Sequence, residues 1–186
     1  MIQINLVSRI DDDKNSFMEL VYAAHKLKES GITGFHILFI GAVYKPVIYQ
    51  SVVQMAGLLG VDSHIGFTKK SIPMAQLPPE IKDGYFLIHS IGDFIGYSGI
   101  ESIDMGLKTI ICNVDKNFAA DRAKYINSCE DIHAVIELIK LIDQDKEAID
   151  RQIIANNIEI KKAYYLSDQD KNKLLSLLLP VNNGSH

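Results

Sequence analysis

Short apolar runs alternate with longer segments in which apolar residues recur every three or four positions. The runs are IQINLV, FHILFIG, SHIGFT, YFLIHS and TIICNV. Each has the length of a strand rather than of a buried helix, and each is bounded by polar or turn residues. A sixth, shorter strand is read in KYINS. Between the first two runs, Phe17, Leu20, Val21, Ala24 and Leu27 fall at helical spacing, and Ser16 with Glu19 makes a capping-box pattern. Pro46 suits the first position of a second helix, which carries Val47, Val52, Val53, Met55, Ala56 and Leu59. KKSIPMAQLPPEIKDG, with three prolines, reads as irregular, and residues 98–105 as a short helix. From Glu130 the strands stop and three helical segments follow: EDIHAVIELIKLI, KEAIDRQIIANNIEIKKAY and DQDKNKLLSLLL.

Strand and helix in alternation predict an α/β, Rossmann-like parallel sheet of about six strands with helices on both faces, closed by a C-terminal helical segment. Residues 1–180 are expected to form one domain and residues 181–186 a disordered tail. The opening MIQINLV lacks the basic region of a signal peptide and reads as a core strand, which suggests a domain cut from a longer chain.

Composition narrows the function classes. The 186 residues are 47% hydrophobic and 23% charged, with a net charge of −4 and a pI near 5.8. That balance speaks against a nucleic-acid partner for the chain as a whole and leaves room for a local basic site. Two cysteines, Cys112 and Cys129, are too few for a disulfide framework and suit a reducing, cytoplasmic setting. No run of about 18 apolar residues is present to span a bilayer.

In a parallel sheet, ligands bind beyond the carboxyl ends of the strands, where the strand order switches. The loops to inspect are SRIDDDKN, GAVYK, GFTKK, HSIGDFIGYSG and VDKN. In the fourth, Gly96 and Gly99 allow close backbone approach, and a helix starting near Ser98 would turn its N–H groups toward the loop, as phosphate requires. Asp93 and Glu101 flank it. Ser98 and Glu101 are also spaced as a capping box, which is the commoner use of such an acid. In the first loop, Arg9 and Lys14 flank Asp11, Asp12 and Asp13. They offer a planar fork and a mobile charge for phosphate oxygens, or they are solvated partners of the acids. A metal site on the triplet ranks below a loop complementing a helix dipole. There is no dinucleotide fingerprint, P-loop, zinc-ligand spacing or nucleophile elbow, and His36 and His89 read as packed strand residues.

The order of these features resembles the C-terminal, donor-binding domain of retaining glycosyltransferases with the GT-B fold, glycosyltransferase family 4 (group 1). In that family a Gly-Arg follows the first strand and a Lys lies five residues beyond the Arg, as Arg9 and Lys14 do, with Asn15 next. A pair of acids separated by seven residues, with a glycine three after the first, corresponds to Asp93, Gly96 and Glu101. Gly106 matches a glycine closing the short helix. FIGA and HIGFT resemble the glycine-ended second and third strands. The similarity covers about residues 2–142. Three departures stand out: Ser8 for the glycine before the Arg, Asp93 for the first Glu, and Lys108-Thr109 for a proline-containing strand entry.

The resemblance implies a retaining, metal-independent, nucleotide-sugar-dependent transferase without a cofactor. Arg9, Lys14 and Asp93 would serve catalysis. Arg9, Lys14, Gly41, Gly66, Phe67, Thr68, Gly96, Tyr97, Ser98 and Glu101 would bind the donor, with Glu101 on the ribose and Gly66, Phe67 and Thr68 at the base. A UDP-sugar is the favoured donor. An N-terminal acceptor domain would precede this chain, and the acceptor would be a sugar or a lipid-linked sugar in bacterial lipopolysaccharide or O-antigen synthesis. The full-length enzyme would be cytoplasmic, with peripheral association at the inner membrane face. Other readings are a receiver-like signalling domain, a non-catalytic nucleotide-binding module and half of a sugar-nucleotide epimerase.

Overall fold

The computed structural model of the chain describes residues 1–11, 16–90, 95–113, 122–164 and 166–178. Six strands, β1 (Ile2–Val7), β2 (Phe35–Ile40), β3 (Ile65–Phe67), β4 (Tyr85–Ser90), β5 (Lys108–Asn113) and β6 (Ser128–Cys129), form one sheet in the order β3-β2-β1-β4-β5-β6. Every neighbouring pair is parallel. The helices are α1 (Ser16–Glu29), α2 (Pro46–Leu58), α3 (Pro79–Lys82), α4 (Gly96–Asp104), α5 (Ile132–Gln144), α6 (Lys146–Tyr164) and α7 (Asp168–Leu178). This is the predicted Rossmann-like α/β fold. The sheet's two edges are also its shortest strands, which limits the unpaired backbone they present.

The apolar runs are continuous because both faces of the sheet are covered. Ile4, Leu6, Ile37, Phe39, Leu87 and Ile110 meet Phe17, Leu20 and Leu27 of α1 and Val135 and Ile139 of α5. On the other face Phe86 packs with Ile40, Met74 and Leu77, and Ile111 with Ile95, Ile103 and Ile160. Each such side chain contributes about 1.5–3 kcal/mol by leaving water. Cys112 and Cys129 are register partners on β5 and β6. Both are buried free thiols, and burial pushes both up, Cys129 to about 12.

Polar side chains fix α6 beneath the amino ends of the strands. The Tyr85 hydroxyl donates to Asp150, Lys108 reaches Asp83 and Asp150 at 3.2 Å each, and Lys146 reaches Asp150 at 2.7 Å. Asn157 donates to the Leu107 carbonyl at 3.1 Å and accepts from Asn127 at 2.7 Å. Among the described residues no helix is long and apolar enough to cross a membrane.

Several local expectations are corrected. α4 begins at Gly96, two residues before Ser98. β5 begins at Lys108, one residue before the run TIICNV, and the acids just named hold its ammonium. The sixth strand is Ser128–Cys129 only, because Tyr125 and Ser128 are joined in a turn. The proline-rich segment contains the short helix α3, opened by Pro79. In α1 the Glu19 carboxylate, read from the sequence as part of a capping box, bonds His89 of β4.

Candidate functional site

The sheet order changes direction between β1 and β4, so the region beyond their carboxyl ends is the candidate place for a ligand. Its first wall is an extension of β1. Ser8 N–H donates to Ile40 at 3.0 Å, Ile10 N–H to Ala42 at 2.9 Å, and Ile10 accepts from Tyr44 and Lys45. The segment carrying Arg9 is therefore held as extended backbone against the loop after β2. Gly41 is required there, since a Cβ at that position would lie 2.0 Å from the Ser8 carbonyl oxygen. Arg9 is half exposed. Its Nε lies 3.1 Å from Asp11 and its guanidinium 5.8 Å from the centre of the Tyr44 ring.

The loop after β3 is tied to the same edge. Gly41 N–H donates to the Thr68 hydroxyl at 3.1 Å, and that hydroxyl donates to Lys70 O at 2.7 Å. Thr68 and Gly41 are thus engaged with each other. Phe67 packs on Phe39 and Tyr49, with ring centres 5.2 and 5.0 Å apart. Gly66 makes room for His36, whose Cε1 would be 2.8 Å from a Cβ. These three residues stand at the predicted end of the sheet, and packing explains Gly66 and Phe67.

The second wall is the start of α4. Gly96, the first residue of α4, has φ +72°, a left-handed conformation that glycine adopts without strain. Ile95 caps α4 with no side-chain hydrogen bond. The first amides of a helix have no partner within it, so this end can serve an anion. Gly99 seats α4 on the sheet, its missing Cβ lying 3.2 Å from Ile88. Tyr97 is 86% exposed, and Ser98 stands inside the first turn. Glu101 is exposed; its backbone carbonyl accepts from Met105 within α4, and among the described residues its carboxylate has no hydrogen bond or ion pair. The Ser98–Glu101 capping box is not formed, because the helix begins two residues too early for it. Lys14 and Asp93 lie outside the described residues.

Between the walls, on the α1 face, Glu19 Oε2 and His89 Nε2 are 2.7 Å apart. Their side chains are 31% and 9% exposed. Neither residue was among the sequence-based candidates. The available signal was a histidine at the penultimate position of an otherwise apolar strand. Tyr44 was also missed, since its neighbourhood with Arg9 arises only from strand pairing. Among the described residues no group of three His, Cys, Asp or Glu side chains is arranged to hold a metal.

No protein-family model matches the chain, and no curated protein matches it. Solved structures do. The C-terminal domain of a glycosyl transferase group 1 family protein (LpcC) from Francisella tularensis is 15% identical, with a TM-score of 0.63 over 88% of this chain and 86% of that one. A glycosyltransferase from Rickettsia africae ESF-5 is 17% identical, with a TM-score of 0.69 over 100% of this chain and 49% of that one. A chain of the GtfA/B complex is 16% identical, with a TM-score of 0.66 over 95% of this chain and 35% of that one. This chain therefore spans about half the length of the second and about a third of the third. At these identities the likeness shows a shared fold.

Proposed function

We propose that this chain is the donor-binding domain of a glycosyltransferase and binds a nucleoside-diphosphate sugar in the crevice between β1 and β4. The carrying observation is Glu101. It is an exposed carboxylate without a partner among the described residues, one helical turn above an α4 N-terminus suited to anions. Arg9 stands in the segment after β1, beside Asp11 and Tyr44. Phosphate oxygens would be met by Arg9, Lys14 and the α4 amides, and ribose hydroxyls would donate to Glu101. The fold neighbours, whose names include two glycosyltransferases, support the same reading.

The chemistry follows from the charges. Cleaving the sugar–phosphate bond leaves a doubly charged nucleotide and an oxocarbenium-like sugar. Cations and amide dipoles fixed in advance stabilise that leaving group without reorganising during reaction. Asp93 would face the sugar. The acceptor half, and a lipid-linked acceptor in surface-polysaccharide assembly, belong to the same proposal. Because Asp93 is one methylene shorter than the family's glutamate, a non-catalytic nucleotide-binding module is the second reading.

Calorimetry with uridine and guanosine diphosphates and their sugars tests the proposal. Binding of at least one diphosphate is expected, unchanged by a chelator, with no sugar transfer by this chain alone. Failure of every nucleotide to bind overturns it. Loss of binding in chelator, restored by magnesium, would replace the metal-independent site with a metal-dependent one.

A further inference from the structure

The Glu19–His89 bond is out of place as a purely structural contact. The surrounding layer is apolar: Phe17, Leu20 and Val21 flank Glu19 on α1, Leu87 precedes His89 on β4, and Cys112 is the register partner of His89 on β5. Drawing an imidazole and part of a carboxylate out of water costs free energy that an apolar pair of similar volume avoids. The bond is short, at 2.7 Å, and His89 is nine-tenths buried. It also joins two particular places. Glu19 stands in the first turn of α1, the helix that follows the Arg9 segment. His89 is the penultimate residue of β4, the strand that leads to α4. Among the described residues, no other side-chain hydrogen bond or ion pair joins α1 to β4.

We infer that Glu19 and His89 are a positioning pair for the diphosphate, fixing the separation between the wall that carries Arg9 and the wall that carries the α4 N-terminus. The inference rests on the donor-binding reading. A diphosphate bridges both walls and depends on their spacing. A nucleoside lacking phosphate is held by the ribose and base contacts and does not. The pair itself touches no ligand. It works by holding the two segments, so its loss should be felt in proportion to the phosphate contacts.

The experiment compares uridine with uridine diphosphate, and guanosine with guanosine diphosphate, on the full chain by calorimetry, with thermal unfolding alongside. Glu19→Ala is expected to weaken the diphosphate roughly tenfold, equivalent to about 1.4 kcal/mol, and the nucleoside less than twofold. Glu19→Gln keeps an acceptor for the imidazole N–H and is expected to restore most of the diphosphate affinity. The double variant Glu19→Ala, His89→Ala leaves neither side chain without its partner, so its melting temperature should recover relative to either single variant while its diphosphate affinity stays low. A merely structural bond predicts the opposite coupling, with affinity recovering alongside stability. That result overturns the inference, as does a diphosphate-to-nucleoside affinity ratio unchanged by Glu19→Ala. If the single variants do not fold, the double variant alone decides by the same ratio. Absence of nucleoside diphosphate binding by the wild type overturns the donor reading and the positioning role together.

Discussion

At the scale of single residues, the informative case is Glu101. Its sequence context favours a cap, and the backbone removes that use by starting α4 at Gly96. A carboxylate that holds no backbone should be dispensable for folding. Glu101→Gln is therefore expected to change stability by less than about 0.5 kcal/mol, as for an ordinary surface substitution. Its effect on nucleotide should be larger, since a hydrogen bond to a charged group is worth about 1.5–3 kcal/mol against about 1 kcal/mol for a neutral one. Lys14→Met should weaken diphosphates far more than nucleosides, whereas Glu101→Gln should weaken both alike. A melting point lowered by several degrees with diphosphate affinity within twofold would return Glu101 to a structural role. Arg9 was readable from its place after the first strand. Tyr44 was not, because its ring meets the Arg9 guanidinium only through the pairing of Ile10 with Val43.

At the scale of elements, the strands were legible because parallel strands covered on both faces read as unbroken apolar runs. The five longer runs correspond to β1–β5, and Pro46 opens α2 as expected. What was not legible were boundaries decided by distant partners. Lys108 stands just before the apolar run TIICNV, yet it is the first residue of β5, where Asp83 and Asp150 hold it. Glu19 reads as a cap, yet His89, seventy residues on, takes its carboxylate. The start of α4 is set by a left-handed residue that spacing rules do not locate. That residue carries its own prediction. A Cβ at Gly96 would meet no atom within 4 Å, so the cost of substitution is conformational rather than steric. Gly96→Ala should destabilise by about 1–2 kcal/mol, the penalty of a left-handed non-glycine residue. For a chain of this size that lowers Tm by about 2–4 °C per kcal/mol in a calorimetric scan. An unchanged Tm would mean that the turn into α4 is remade without the left-handed conformation.

At the scale of the whole molecule, the two ends of the sheet have different tasks. The carboxyl end holds the exposed charges of the candidate site. The amino end holds a partly buried charge cluster that attaches α6 across the sheet, with Asp150 accepting from Lys146, Tyr85 and Lys108. Its burial alone would raise the Asp150 carboxyl, but these three hydrogen bonds outweigh burial and hold it below its ordinary value of 3.8. His36 is shifted in the same direction for another reason. Burial, with a smaller contribution from His64, lowers it below 6.5. In both cases the unfolded chain binds a proton more readily than the folded one, so stability falls as pH falls. For His36 the loss starts below about 6.5 and continues toward its lower folded value. For Asp150 it starts only below 3.8. Urea midpoints measured from pH 8 to pH 3 should therefore decline in two stages. His36→Gln should flatten the first stage and leave the second. Asp150→Asn should flatten the second and leave the first. Asp150→Ala should lower stability at neutral pH as well, by about 1–3 kcal/mol, the cost of leaving partly buried donors without their acceptor, while Asp83 remains beside Lys108. A first stage that persists in His36→Gln would assign it to another histidine. A midpoint of Asp150→Ala equal to wild type at pH 7 would mean that α6 is held to the sheet by apolar packing and by Asn157, with the charge cluster contributing nothing to the fold.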